Sequence, residues 1–296
     1  MVAFSFSFPA TAWALTGFGP WTSTGLRGAL AGALAAICLA SVRAPLPRLA
    51  DLRGLAAVAA GCVVGFPLLT SLALTTSSTS HSAIVIGVLP LATAAFSSWI
   101  TGRNQPRAFW VAALAGAALV VGFALSQNHG LPTLGDAYLA AAVLVCGAGY
   151  AEGGRLSAHM PGWQVIAWGL VAGLPCMVAV SAVALAAEPA HPTGKAVFGL
   201  AYVTLVSQFG GFVVWYWGMA RAGVARASQL QLAQPLMTLG WSATLMGERV
   251  PPSMPAVAVL VLACVVATQH AGRPSAPATA DPAGEACGMP LESVRG

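Results

Sequence analysis

RAGVARASQLQLAQPLMTLGWSATLMGERVPP, residues 221–252, decides the fold. It is an apolar helix interrupted by Gln229, Gln231 and Gln234, with Pro235 at its middle and a Gly-Glu-Arg exit beginning at Gly247. A soluble core helix has no need of this length with so little charge. In a bilayer the same stretch has the length of a span, a bending point, and amide groups at membrane depth.

The rest of the chain has the same character. Apolar residues fill 57% of its 296 positions and charged ones 7%, against roughly 25% in an ordinary soluble domain. Too few polar residues exist to cover a soluble core, so the composition predicts an all-α integral membrane protein whose first partner is the lipid bilayer. The net charge of +5 comes from single basic residues between apolar runs, the placement of topology determinants rather than of a nucleic-acid surface. Six scattered cysteines lack CxxC or CxxH spacing, which points to small hydrophobes in helices and to no metal.

Apolar runs of about 17 to 25 residues fall at about 2–18, 25–42, 55–74, 82–101, 108–126, 135–153, 163–187, 196–219, 227–246 and 254–271. The start, MVAFSFSFPATAWAL, has no basic leader region and reads as a short first span; a start upstream is left open. From Gly272 the chain turns to Pro, Ala, Gly and Ser, which predicts a disordered tail over 272–296. With the N-terminus inside, ten basic residues fall on cytoplasmic segments and three outside (Arg27, Lys195 and Arg249). That bias predicts both termini in the cytoplasm and location in the cell inner membrane.

An internal repeat emerges when Pro90 is laid on Pro235, 145 positions on. Without a gap, Leu91 then meets Leu236, Thr93 meets Thr238, Gly102 meets Gly247, and Ala118, Val120 and Val121 meet Ala263, Val265 and Val266. Five spans per copy is odd, so the second copy (131–271) is inverted relative to the first (1–130). Inverted repeats are the usual construction of secondary transporters, with the substrate site near the bilayer midplane.

The segment at residues 219–252 resembles the ninth-span signature of the drug/metabolite transporter superfamily, EamA type. Its order is a small-residue turn, a polar helix, Pro, then Gly-Glu-Arg before the last span. LALTTSSTSHSAIVIGVLPLATAAFSSWITGRNQP (72–106) is similar to the first-half counterpart, and FSFPATAWAL with Arg27 beyond it to the family's opening. The resemblance covers about residues 1–271. It implies ten transmembrane helices in two inverted five-helix repeats, a central cavity lined by spans 1, 3, 4, 6, 8 and 9, and export of amino acids or similar small metabolites. The first half departs from the pattern with Gly-Arg-Asn at 102–104, where Glu usually follows Gly.

Several polar residues at depth are candidates for function. Glu152, in GAGYAEGGRL, reads either as a proton-coupling carboxylate or as a partner of Arg155 at i,i+3. Gln231 and Gln234 share a face, and Pro235 frees the carbonyl of Gln231, a combination suited to a zwitterion or amide. Thr204, Ser207, Gln208 and Gly211 form one polar stripe that continues to Trp215. Arg27, placed near the outer surface, either attracts a carboxylate or snorkels. His81 reads as part of a helix N-cap region, and Tyr150 and Trp168 as cavity aromatics. Pro90 and Pro235 are the expected hinges. Pairs such as Gly28/Gly32, Gly149/Gly153 and Gly169/Gly173 have the spacing that brings helices close.

No GxSxG, HExxH or Walker loop is present, so no catalytic residues, cofactor or nucleotide-driven cycle are expected. The leading reading is a secondary transporter exporting a small polar metabolite by alternating access. A coupled proton and a homodimer are left open. The alternatives are a nucleotide-sugar or organophosphate carrier, which would demand buried Lys or Arg where only Arg27 is placed, a membrane-embedded enzyme, and a non-transporting sensor or subunit.

Overall fold

In the computed structural model, residues 2–102, 105–127, 131–222 and 233–271 are described. They form helices and, among the described residues, no strand. In chain order these are α1 (Val2–Leu15), α2 (Pro20–Ser41), α3 (Leu49–Ala73), α4 (Thr79–Thr101) and α5 (Arg107–Gln127). There follow α6 (Leu134–Leu156), α7 (Gly162–Ala187), α8 (Gly194–Trp215), α9 (Ala233–Leu245) and α10 (Ser253–Ala271). Among the described residues seven helices, α2 to α8, are long and apolar enough to cross a membrane. Gln229, Gln231, Arg103, Arg226 and the tail from Gly272 lie outside the described residues.

The helix ends follow from local chemistry. Pro20 opens α2 at a position whose N–H has no intrahelical partner. Ser78 Oγ accepts from the His81 backbone N–H at the start of α4, and Thr193 Oγ1 from that of Ala196 at the start of α8. At α6, Thr133 and Asp136 form a reciprocal capping box. Gly102 and Gly247 end α4 and α9 at φ 66° and 67°, a left-handed conformation that glycine adopts without the steric cost of a Cβ.

Four helices depart from regularity, and all four border the centre of the bundle. α1 breaks between Val2–Ser5 and Ser7–Leu15, and α4 between Thr79–Ile86 and Leu89–Thr101. π-helical turns occupy Ala59–Gly65 in α3, just before Pro67, and Tyr202–Gly210 in α8. Such turns occur frequently at functional sites because they release backbone groups from the regular ladder. The π turns, the two prolines and the two left-handed glycines all recur at the 145-residue offset of the sequence repeat.

The packing has paired partners. α2 packs along α7 and α5 along α10; α1 lies against α8 as α6 lies against α3; α4 touches α6 as α9 touches α1. Glycines permit the closest approaches. A Cβ at Gly28 would lie 2.4 Å from Met177 Cγ, and one at Gly61 2.3 Å from the Val145 carbonyl oxygen. Outside this core, large apolar side chains face outward: Leu114, Val183 and Val214 are 68%, 70% and 67% exposed. Contiguous apolar exposure of this kind suits hydrocarbon rather than water.

Candidate functional site

A cavity of about 70 Å³ lies at the centre of the bundle, several times the roughly 10–15 Å³ that one water needs. Its walls come from α1 (Ser7, Thr11), α2 (Arg27), α3 (Cys62, Thr70), α4 (Gly87, Pro90), α6 (Tyr150), α8 (Ser207, Gln208), α9 (Gln234, Pro235) and α10 (Leu262). Seven residues singled out in the sequence therefore meet on one space: Arg27, Pro90, Tyr150, Ser207, Gln208, Gln234 and Pro235.

Arg27 dominates that space. Its position differs from the sequence expectation, which put it near the outer surface: α2 begins at Pro20, two turns before Arg27, so the side chain is buried with 6% exposure. Arg27 Nε donates to Gln208 Oε1 at 2.7 Å, and Nη2 lies 3.5 Å from Ser207 Oγ. Gln208, with no exposure, donates through Nε2 to the Cys62 carbonyl at 3.1 Å. Cys62 is in the π turn of α3 and Gln208 in that of α8, so one amide joins both irregular turns and holds the guanidinium. Ser7 and Ser207 share a hydrogen bond of 2.7 Å. Among the described residues no carboxylate lies within ion-pair distance of Arg27.

The rest of the lining includes aromatic, aliphatic and amide groups. Phe212 meets Phe4 edge to face at 5.3 Å and Tyr150 at 6.0 Å. This trio borders the cavity towards the end where α6 and α8 finish, the predicted inner end. Gln234 is half-buried, and among the described residues its side-chain amide has no hydrogen-bond partner. The break in α1 is stabilised from α9: Thr238 Oγ1 donates to the Ser5 carbonyl at 2.8 Å and Trp241 Nε1 to Ser5 Oγ at 3.0 Å.

Two candidates stand apart. Trp168 does not line the cavity: it is half-buried on α7 against the hydrophobic core, its indole N–H buried without a partner among the described residues. Glu152 also lies off the cavity, 2.7 Å from Arg155 Nε near the end of α6, so the geometry follows the i,i+3 pairing. Gln231 lies outside the described residues. Local sequence gave no sign of Glu248's partners, because they lie nearly 170 residues away. Glu248 accepts from the N–H groups of Thr79 and Ser80 (2.8 and 2.9 Å) and from Ser80 Oγ (2.6 Å), capping α4 from the end of α9. Beside it, His81 Nε2 and Asp136 Oδ1 are 2.6 Å apart, joining α4 to α6. Glu188 caps α2 in the same manner through Thr22 N–H at 2.8 Å. These ties lie at the predicted outer end. At the opposite end His159 Nε2 lies 2.9 Å from Asp51 Oδ1.

Comparison with known proteins agrees in kind. The model of the EamA-like transporter family matches residues 133–268. The uncharacterized transporter YdeK of Bacillus subtilis (strain 168) is 44% identical over 271 residues, spanning 91% of this chain and 94% of that protein. A solved crystal structure resembles the fold at a TM-score of 0.56 and 20% identity, over 90% of this chain and 98% of that one.

Proposed function

This chain belongs to the EamA-like transporter family, a multi-pass membrane transporter rather than an enzyme, and from that premise we propose that it exports small carboxylate-bearing metabolites across the inner membrane. The observation that carries this reading is Arg27: a buried guanidinium on the central cavity, held by Gln208, with no carboxylate partner among the described residues. A cation at membrane depth is costly, about 2.5 to 3.5 kcal/mol even on permissive scales. A carboxylate substrate offsets that cost with charge-assisted hydrogen bonds.

The mechanism we favour is alternating access in ten spans arranged as two inverted halves, 1–130 and 131–271, with both termini cytoplasmic. Its supports are the recurrence of π turns, prolines and left-handed glycines at one offset, and the paired packing of α1 with α8 and α6 with α3. Pro90 and Pro235 border the cavity on α4 and α9, where the two halves meet, and are the bending points of this scheme. In this scheme Glu248, His81 and Asp136 form the contacts that part when the outer end opens. Glu152, off the cavity, has no place in the cycle. An organophosphate is a weaker reading, since Arg27 is the one basic residue on the cavity among the described residues.

Metabolite profiling of medium and cytosol, with wild-type and Arg27→Gln chains overexpressed, tests the proposal. The expected result is a carboxylate that accumulates outside with the wild type and not with the variant. Profiles that are the same for both chains would overturn it.

A further inference from the structure

Within that reading, and resting on the assignment of Arg27 to the substrate carboxylate, we infer that the cavity selects monoanions with an apolar body over zwitterions. The first argument is the charge inventory. The chain has eight acidic residues. Asp51, Asp136, Glu152, Glu188 and Glu248 sit at helix ends in contacts already described, and Asp281, Glu285 and Glu292 belong to the segment after Ala271. Of the described acidic residues, none lines the cavity. A monocarboxylate bound to Arg27 gives a neutral loaded site, whereas a zwitterion leaves one full positive charge at membrane depth.

The second argument counts hydrogen-bond acceptors. An ammonium group without a carboxylate must be satisfied by oxygen lone pairs. Here the Cys62 carbonyl receives Gln208 Nε2, Gln208 Oε1 receives Arg27, and Ser7 and Ser207 bond each other, so the acceptors left to an ammonium are neutral ones such as the Gln234 side-chain oxygen. Beyond Arg27 the described lining offers neutral oxygens and the aromatic surface of Phe4, Tyr150 and Phe212, and no carboxylate. That surface rewards an apolar group, and ring faces with neutral oxygens compensate an ammonium less than a carboxylate would.

Isothermal titration of the purified full chain in detergent tests this with three probes that share a phenyl ring and a two-carbon chain. These are 3-phenylpropanoate, L-phenylalanine and 2-phenylethylamine, with net charges of −1, 0 and +1 at neutral pH. The expected order is 3-phenylpropanoate first, L-phenylalanine about tenfold or more weaker, and no binding of the amine. Arg27→Gln should weaken the carboxylate roughly 10- to 100-fold, with Arg27→Lys keeping part of the affinity. L-phenylalanine binding as tightly as 3-phenylpropanoate, yet lost in Arg27→Gln, would overturn the selectivity and leave Arg27 as the carboxylate site. Binding indifferent to Arg27→Gln would overturn both. Absence of binding by all three probes to the wild type would overturn the inference of an apolar-bodied ligand.

Discussion

At the scale of single residues, the account turns on the pair Arg27 and Gln208. The amide uses both of its ends, one for the guanidinium and one for the Cys62 carbonyl. Gln208→Glu keeps the shape and supplies Arg27 with a permanent anion. The expected result is a folded protein with carboxylate binding reduced roughly tenfold or more, because the site is already neutral; titration of the variant measures it. Glu152→Gln should leave flux and its pH dependence in proteoliposomes unchanged, since Glu152 only pairs with Arg155; loss of pH dependence would restore it as the coupling group. Much of this was legible in the sequence. Polar side chains in apolar helices drew attention to Arg27, Ser207, Gln208 and Gln234, because such groups are costly there without a task. The depth of Arg27 is not legible there, because the apolar run begins near residue 25 whereas the helix begins at Pro20.

Among helices, the irregular segments matter most. π turns have no compositional signature, so those of α3 and α8 were hidden until the backbone was seen, although Pro67 marks one of them. The break in α1 was equally hidden, since its stabilising groups, Thr238 and Trp241, come from α9. In the sequence Gly-Glu-Arg at 247–249 reads only as the exit before the last span. Gly247 does end α9, but Glu248 also reaches the first turn of α4, where three donors converge on its carboxylate. Removing a cap of this kind costs about 0.5–2 kcal/mol, and the negative charge also favours the positive end of the α4 dipole. Glu248→Ala should therefore lower the thermal midpoint in detergent and leave ligand titration at Arg27 intact; an unchanged midpoint would mean that the cap carries no stability. Gly247→Ala should also destabilise, by about 1–2 kcal/mol, despite open space around its Cβ.

For the whole molecule, composition and the placing of single basic residues between apolar runs were enough to identify a membrane protein, and the spacing of Pro and Gly is the ground for the proposed repeat. What composition could not supply was the sign of the cavity, which depends on how far the acids sit from the centre. If the substrate is a monoanion that moves without a coupled ion, export is electrogenic. An inside-negative potential then contributes about 2.3 kcal/mol per charge per 100 mV. Proteoliposomes loaded with 3-phenylpropanoate should release it faster under a potassium-diffusion potential, inside negative, than without one; a rate indifferent to the potential contradicts the electrogenic reading. The claim under all of these is that one cavity around Arg27 opens to both sides of the membrane. Ser207, beside Arg27 on that cavity, is a suitable reporter. In a chain whose native cysteines are replaced, Ser207→Cys should react with a membrane-impermeant thiol reagent applied from either side. Reaction from one side only would contradict alternating access.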